Sequence, residues 1–275
     1  MSELFQVNSF WTGRPLGEIE LMCLLSMQKQ GHKVRIFSYG PIGQLPDGVE
    51  LADANEILIK EKFLHHAKTG SPSLGADIFR FRLMLSKAGI WLDSDLLLMR
   101  PMPAVETPVF GWQDSAWINN AVLYLPPESA TLAKLMDFTA EPYPVPPFYH
   151  PNKQAFLRFR KAVGWPRHVT TMRWGVFGPR ALTWFAKLSG EAEQAAAREV
   201  FYPVGSRSAH GPLIAGWDAE ARFTEQTIGL HLWNEALRKP SKLRPKNPKG
   251  KLIIEPDSFV ARYAKRELGL TLKGD

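Results

Sequence analysis

Apolar positions recur with two different periods along the first third of the chain, and these periods predict alternating strands and helices. Residues 4–11 and 32–39 are typical of strands, the second with apolar and polar side chains in alternation, whereas 17–31 has the pattern of an amphipathic helix that ends at Gly31. Because a crossover helix joins parallel strands, this order predicts a parallel βαβ unit and an α/β fold. Residues 48–58 add a short predicted strand.

A second helix and a buried strand follow in the next part of the chain. Apolar residues share one face of the helix predicted for 75–88, and Gly89 ends it. That face consists of Ile78, Phe81, Leu85 and Ala88. Residues 90–92 are uniformly apolar, which predicts a strand that is buried on both sides.

The remainder of the chain continues to alternate between the two element types. Strands are predicted at 96–99, 117–125 and 226–234, and helices at 127–139, 152–163, 178–188 and 257–268. The proline-rich segment 141–151 predicts a loop insertion rather than a domain boundary.

The composition is that of a globular protein, since 45% of the 275 residues are hydrophobic and 22% are charged. The single cysteine, Cys23, excludes an internal disulfide framework and suits a reducing compartment. The N-terminus has no basic segment followed by an apolar one, and no apolar run is long enough to span a bilayer. We therefore expect a cytoplasmic protein.

The net charge of +7 raises the question of an anionic partner, and much of the positive charge lies in one segment. Residues 238–251 hold seven Lys and Arg and no acid. The simplest interpretation is a solvated linker, and the alternatives are contact with anionic lipid headgroups, a nucleotide phosphate or nucleic acid. The chain lacks a zinc knuckle and an aromatic-rich RNA-binding strand, so nucleic acid is not expected. Peripheral contact with an anionic membrane through 238–251 stays among the expectations.

Two aspartates, Asp93 and Asp95, stand between the apolar stretches GIWL and LLLM. Ionised carboxylates are costly to bury unless a cation or a metal pairs with them. Alternation along an extended segment points both carboxylates to one side, with Ser94 facing away. Ligands of open α/β sheets bind beyond the carboxyl ends of strands, and paired carboxylates suit Mg²⁺ or Mn²⁺ shared with a diphosphate. Taken alone, the tripeptide is more often a surface turn.

The helix before the two aspartates carries Asp77 and Arg80, which share one face at i,i+3 spacing. A local salt bridge is the simplest interpretation of this pair. In the functional interpretation, Asp77 accepts hydrogen bonds from hydroxyl groups while Arg80 orients it or meets a phosphate. The aspartates that follow favour the functional interpretation.

The stretch GADIFRFRLMLSKAGIWLDSDLLLMRPM resembles the sugar-binding region of DXD-motif glycosyltransferases of family 32, which are akin to the large clostridial glucosyltransferase toxins and to α-1,4-galactosyltransferases. The family pattern is [SA]-D-x-x-R-[YF]-x-x-L-x-x-x-G-G-x-Y-x-D-x-D. It is matched here by Ala76, Asp77, Arg80, Phe81, Gly89, Trp91, Asp93 and Asp95. Departures from the pattern include Ala88, which replaces a glycine, and Trp91, which keeps an aromatic ring where the pattern has a tyrosine.

Weaker similarities to the same family extend along the chain. Trp11 in FWTG resembles an aromatic residue beside the nucleotide base, and Asn119 and Asn120 in INNAVLYLP resemble a segment that contacts the donor sugar. The stretch HLWN, with His231 and Trp233, resembles an H-x-W segment whose histidine completes a metal shell. Each also has an ordinary interpretation, as a core tryptophan, a turn residue or a structural histidine.

Two further positions bear on the resemblance. Gly178 and Pro179 resemble a Gly-Pro element that opens a helix, although proline is common there for backbone reasons alone. Ile228 occupies the approximate position of an acidic metal ligand, so that ligand has no clear counterpart. A basic group that assists departure of the nucleotide is expected to be Arg173 or a lysine of 238–251.

The resemblance implies a GT-A fold, which is α/β with a mixed, mostly parallel central sheet flanked by helices. It also implies transfer of a sugar, with retention of configuration, from a nucleotide-sugar donor, with a UDP-sugar favoured. The acceptor would be a glycan, a lipid-linked molecule or a protein, as in polysaccharide biosynthesis. The implied metal is Mn²⁺ or Mg²⁺, with Asp93, Asp95 and His231 as its ligands. The implied catalytic residues are Asp93, Asp95 and Asn120, and the implied donor-binding residues are Trp11, Asp77, Arg80, Asp93, Asn119, Asn120 and Trp233.

The sequence predicts one GT-A domain over 1–237, with the basic segment and C-terminal helix of 238–275 packed on it. A catalytically silent protein that binds a nucleotide or polyanion on a GT-A-like fold is the alternative. A metal-dependent phosphohydrolase is a weaker one, because the sequence near the aspartates offers neither a water-activating base nor a phosphate-cradling glycine loop.

Overall fold

The computed structural model describes residues 5–103 and 106–274. Leu4, where the first predicted strand begins, lies outside them. The chain divides into two compact units. Unit 1 comprises Met1–Ala52, Leu92–Ala104 and Ala196–Asp275, and unit 2 comprises Asp53–Trp91 and Val105–Ala195. The domain boundary at 237/238 stays a prediction.

The predicted strands and helices each overlap an observed one. The strands are β1 (Val7–Phe10), β2 (Val34–Ser38), β3 (Val49–Asp53), β4 (Ile90–Leu92), β5 (Leu96–Leu98), β6 (Val109–Trp112), β7 (Ile118–Tyr124) and β8 (Gly229–His231). The helices are α1 (Glu18–Lys29), α2 (Ser73–Leu85), α3 (Ala130–Ala140), α4 (Pro151–Ala162), α5 (Pro179–Ser189), α6 (Arg198–Phe201), α7 (Asn234–Leu237) and α8 (Phe259–Leu268). Across the described part of the chain, no helix has the length and apolar character that a bilayer crossing requires.

The central sheet contains strands in the order β3-β2-β1-β4-β7-β6. β1 and β2 run parallel, with Val7 opposite Val34 and Phe10 opposite Phe37, as the βαβ pattern predicts. β6 runs antiparallel to β7. The protein is therefore α/β with a mixed, mostly parallel six-stranded sheet flanked by helices, and the predicted fold class is confirmed.

A second, two-stranded sheet lies in unit 1 and pairs segments that are far apart in the sequence. β5 and β8 run antiparallel, with Leu96 opposite His231 and Leu98 opposite Gly229. The close approach at Gly229 leaves no room for a side chain without adjustment, because a Cβ there would lie 3.3 Å from the carbonyl oxygen of Leu97. This pairing brings the segment after β4 beside the segment that follows Gly229.

The core of unit 1 is built from both ends of the chain. α1 packs on β5 and on α8. Ile19, Met22 and Cys23 of α1 share one buried cluster with Leu97 of β5. The same cluster contains Leu252, Ile254, Phe259, Val260, Tyr263 and Ala264 from the C-terminal segment. Helix α8 contributes four of these residues because they fall on one face at helical spacing.

Helix α2 of unit 2 buries a wider face than its sequence pattern predicts. Ile78 and Phe81 are buried, as expected, but Leu85 is exposed and does not belong to the apolar face. Phe79 is buried instead and lies 6.1 Å from the ring of Trp91 in β4. The helix is packed on more than one side, so a single stripe describes it incompletely.

His32 in unit 1 is held in its neutral form by burial and by a hydrogen bond from the amide of Met102. Its Nδ1 lies 3.0 Å from the carbonyl oxygen of Phe5, and its Nε2 accepts a hydrogen bond of 2.9 Å from the amide of Met102. Burial lowers the pKa of His32, and the hydrogen bond with Phe5 opposes this change without reversing it. A protonated ring would lose the bond from Met102, because Nε2 would become a donor.

We expect the protein to lose stability as the pH falls below about 6.5, the pKa of an unfolded histidine. Below that value the unfolded chain gains a proton that buried His32 resists, so the free energy of unfolding decreases between pH 7 and pH 5. Urea unfolding at the two pH values measures the loss. His32→Gln should flatten the dependence, whereas replacement of exposed His65 by glutamine should leave it as it is. An equal pH dependence in both variants would contradict the prediction.

Candidate functional site

The two aspartates lie in the short link between β4 and β5. Leu92 ends β4 and Leu96 begins β5, so the link is Asp93–Ser94–Asp95. The amide of Leu96 donates a 3.0 Å hydrogen bond to the carbonyl oxygen of Asp93, and the link is a turn rather than the extended segment that the sequence predicts. Both carboxylates are partly exposed, and Ser94 is buried.

His231 comes beside this turn because it lies opposite Leu96 in the β5–β8 pair. Its Nε2 lies 3.1 Å from Oδ1 of Asp95 and 4.0 Å from Oδ2 of Asp93. One ligand atom from each of the three side chains lies within 4.8 Å of the other two. The three residues that the sequence resemblance implies as metal ligands are thus brought together within unit 1.

Two aromatic rings fix the imidazole of His231. The ring of Trp233 lies 4.3 Å from it, and the ring of Tyr202 lies 5.8 Å from it at nearly a right angle. Trp233 is itself held by a 2.8 Å hydrogen bond from its Nε1 to the carbonyl oxygen of Val204. Its backbone is left-handed, with φ of 57°. Trp233 therefore lies against the histidine, at the point where the chain turns into α7.

Asn234 and Glu20 support the site and were not among the residues predicted from the sequence. The amide of Asn234 donates a 2.8 Å hydrogen bond to Oδ2 of Asp95, and its Nδ2 donates one of 2.6 Å to Oε1 of Glu20. Glu20 is fully buried and also accepts from the amide of Gly17 and from Arg14. The sequence features that could have indicated these two residues are their positions. Asn234 directly follows His231-Leu232-Trp233, and Glu20 lies in the first turn of α1.

Asp95 is the carboxylate that its surroundings keep ionised. Burial acts to raise its pKa, but the charge of His231, the hydrogen bond with that ring and the amide of Asn234 outweigh burial and lower the pKa below its usual value. Cys23, below the site, behaves in the opposite way. Burial, followed by the charges of Asp95 and Glu20, raises the pKa of its thiol well above the usual value. The thiol is thus protonated at neutral pH, and Cys23 does not belong to the Asp93–Asp95–His231 cluster.

The donor set of two carboxylates and one imidazole fits a divalent ion. Carboxylate oxygens are preferred by Mg²⁺ and Mn²⁺, and an imidazole nitrogen favours a transition metal over Mg²⁺. Three protein ligands leave further coordination positions for a substrate or for water. Asp93, Asp95 and His231 therefore form a candidate site for a divalent metal.

A second group of predicted residues lies in unit 2. Nδ2 of Asn120 donates a 2.8 Å hydrogen bond to Oδ1 of Asp77, and Nη1 of Arg80 donates one of 2.6 Å to the carbonyl oxygen of Asn120. Nε of Arg80 lies 3.8 Å from the same Asp77 oxygen, and the guanidinium lies 4.6 Å from the ring centre of Trp91. All three polar residues are buried. The local salt bridge is thus present, within a wider buried network.

Gly178 meets Asp77 where α5 begins. A Cβ at position 178 would lie 2.9 Å from Oδ2 of Asp77, so only glycine fits there without a shift. Pro179 takes the first position of the helix, where its missing amide hydrogen costs nothing. The Gly-Pro element therefore has both a backbone role and a role in bringing the start of α5 against the carboxylate of Asp77.

The two remaining predicted residues, Asn119 and Trp11, make local contacts. Nδ2 of Asn119 donates to Gln113 at 2.7 Å, and its Oδ1 accepts from the amide of Ala121 at 2.8 Å. These bonds lie beside the irregular register of β6 and β7. Nε1 of Trp11 donates to the carbonyl oxygen of Arg14 at 2.7 Å, and the Arg14 guanidinium lies over the indole. A role for either residue in donor binding stays a prediction.

No protein-family model matches this chain, and no curated protein does. A solved structure described as PaToxG Glycosyltransferase is similar to it, with 11% sequence identity and a TM-score of 0.42. The similarity covers 68% of this chain and 70% of that one. A TM-score of this size decides neither fold nor activity. The fold class rests on the strand order above, and the chemistry of the site rests on its own residues.

Proposed function

We propose that this chain is a metal-dependent glycosyltransferase that moves a sugar from a nucleotide-sugar donor to an acceptor with retention of configuration. A UDP-sugar is the favoured donor. The observation that carries the proposal is the approach of Asp93, Asp95 and His231 to within 4.8 Å. These residues come from segments that are 136 positions apart in the case of Asp95 and His231, and the sequence resemblance assigns all three to one metal.

Asp93, Asp95 and His231 would hold Mn²⁺ or Mg²⁺ in this proposal. When bound, the ion would supply positive charge that offsets the negative charge developing on the departing nucleoside diphosphate. Asp95 is the principal ligand, because its lowered pKa keeps it ionised and the amide of Asn234 fixes its second oxygen. Asp93 is the more exposed of the two carboxylates and would accept hydrogen bonds from ribose or sugar hydroxyls as well.

Asp77, Arg80 and Asn120 would orient the donor sugar. The bond from Asn120 holds Oδ1 of Asp77 and so fixes the carboxylate that would accept from a sugar hydroxyl. Arg80 contacts both the carbonyl oxygen of Asn120 and the carboxylate of Asp77, and so holds the two residues in fixed positions relative to each other. A hydroxyl held at this carboxylate would fix the position of the anomeric carbon, which is how binding groups lower a transfer barrier.

Retention in this proposal follows a front-face displacement, in which the acceptor hydroxyl attacks as the nucleotide leaves. No carboxylate of the described residues stands out as a covalent nucleophile, because those near the site already serve as ligands or hydroxyl acceptors. The acceptor would be a glycan, a lipid-linked molecule or a protein, as in polysaccharide biosynthesis. Arg173 or a lysine of 238–251 would assist the leaving group.

The direct test is a donor panel. The protein is incubated with Mn²⁺ and with each of several UDP- and GDP-sugars, and the released nucleotide is measured. We expect release from at least one donor, its loss when the metal is chelated, and its return when Mn²⁺ is restored, because the ion would offset the negative charge of the leaving group.

Calorimetry with the free nucleotides completes the test. Nucleotide binding without release from any donor would contradict the transferase and support the alternative, a protein that binds nucleotides on the same fold. Release that continues unchanged under chelation would contradict the metal site alone. The absence of both binding and release would exclude both functions for the donors of the panel.

A further inference from the structure

Helix α4 presents an apolar stripe to solvent. Phe156, Phe159 and Val163 follow each other at i, i+3 and i+7 on one face, and they are 55%, 62% and 56% exposed. Leu157 is the one residue of the helix that is buried. An apolar face of this kind is unfavourable in water, and exposed apolar patches are typical of interaction surfaces.

Trp165, which is 69% exposed, extends the stripe beyond the helix. Gly164, with φ of 73°, reverses the chain so that Trp165 returns to the end of the helix. There its amide and carbonyl groups both bond to Arg160, at 2.9 Å each, and the guanidinium lies 4.1 Å from the indole centre. Trp165 is thus fixed beside the stripe.

The same segment carries positive charge without any acid. Residues 151–174 contain Lys153, Arg158, Arg160, Lys161, Arg167 and Arg173, and no Asp or Glu. Among the described residues, Lys161 is the member of this set that forms an ion pair, with its Nζ 2.9 Å from Oε2 of Glu141. Burial and then the charges of Arg167, Arg173 and Arg180 lower the pKa of Lys153, which shows a local excess of cations. We call the exposed aromatic and apolar residues together with these cations the α4 surface.

We propose that the α4 surface binds the interface of a bilayer that contains anionic lipids. Aromatic rings with polar edges and long cationic side chains are the groups that settle at the level of lipid headgroups. The Phe156–Phe159–Val163 stripe supplies apolar area for the acyl boundary, and the six cations complement the negative surface potential. A nucleic acid would use the cations but would leave an aliphatic residue such as Val163 without a partner. This inference does not depend on the proposed transfer reaction.

The test is sedimentation of the full chain with vesicles of phosphatidylcholine, with and without phosphatidylglycerol. We expect binding to the anionic vesicles, little binding to the neutral ones, and weaker binding as salt is raised. Phe156→Ser combined with Phe159→Ser should weaken binding about tenfold or more, because the rings supply most of the inserted apolar area. Leu188→Ser is the matched control, since Leu188 is also 62% exposed but lies on α5.

Charge variants separate this surface from the basic segment predicted at 238–251. Arg158→Gln with Arg167→Gln removes two charges from the α4 surface, and Lys246→Gln with Lys249→Gln removes two from the basic segment. We expect about fivefold weaker binding per charge removed from the α4 surface and a smaller change for the other pair. Failure to bind anionic vesicles, or loss only in the Lys246/Lys249 variant, would overturn the proposal. Binding to polyuridylate or heparin that the serine variant retains, without vesicle binding, would point to a polyanion instead.

Discussion

Replacing Asp95 by asparagine is expected to reduce metal-dependent nucleotide release by about 10²–10³-fold, the size of effect seen when one group that stabilises transition-state charge is removed. Asparagine keeps an oxygen for the amide of Asn234 at a similar position, so the turn should hold its shape. What is lost is the ionised ligand beside His231. Calorimetry with Mn²⁺ should show a parallel loss of metal affinity, which ties the loss of activity to the metal rather than to folding.

Two comparisons make this prediction specific. Asp137→Asn alters an exposed carboxylate on α3 and should leave both metal affinity and nucleotide release unchanged. Asp93→Asn should weaken metal binding less than the Asp95 variant does, because Asp93 is more exposed and lies 4.0 Å rather than 3.1 Å from Nε2 of His231. An Asp95→Asn protein with metal-dependent release within twofold of the wild type would refute Asp95 as a ligand.

Replacing Arg80 by methionine is expected to destabilise the protein by about 3 kcal/mol, the cost of breaking a buried ion pair by removing one partner. Methionine fills a similar volume but cannot donate to the carbonyl oxygen of Asn120, and it leaves the buried carboxylate of Asp77 without its adjacent cation. The contact with the Trp91 ring also loses its charge. Urea unfolding followed by circular dichroism measures the change.

The matched control is Arg262→Met. Arg262 also pairs with an acid, Glu220 at 3.2 Å, but both side chains are about half exposed, so a loss below about 1 kcal/mol is expected. The Arg80→Lys variant should lose an amount of stability between those of the two methionine variants. Lysine keeps the positive charge but lacks the planar set of N–H donors of the guanidinium. Equal destabilisation by the two methionine variants would show that the Asp77–Arg80–Asn120 network adds nothing beyond an ordinary surface pair.

The first third of the fold was predictable because its signals are local. The helical period of 17–31 and the strands on either side of it specify the β1–α1–β2 unit without reference to the rest of the chain. Strand β6 was not predicted, because its signal is not local. It is four residues long with Gly111 inside it, and its pairing with β7 is what makes it a strand.

The candidate site was predictable in its members but not in its geometry. Periodicity indicated that Asp93 and Asp95 follow a buried strand, and only a family resemblance linked them to His231. The physical link is the β5–β8 pairing, in which Leu96 lies opposite His231, and such a register cannot be obtained from local sequence. Asn234 and Glu20 escaped prediction because an asparagine and a first-turn glutamate are ordinary helix-start residues.

The pairing of β5 with β8 also bears on how the protein is made. Asp95 and His231 are 136 residues apart, and unit 1 takes its last segment from Ala196 onward. A nascent chain therefore carries β5 for many seconds before its partner strand is synthesised, at the usual 5–20 residues per second. Neither the two-stranded sheet nor the metal-ligand cluster can form until the segment around His231 has left the ribosome. The candidate metal site therefore appears only after both of its distant segments have been synthesised.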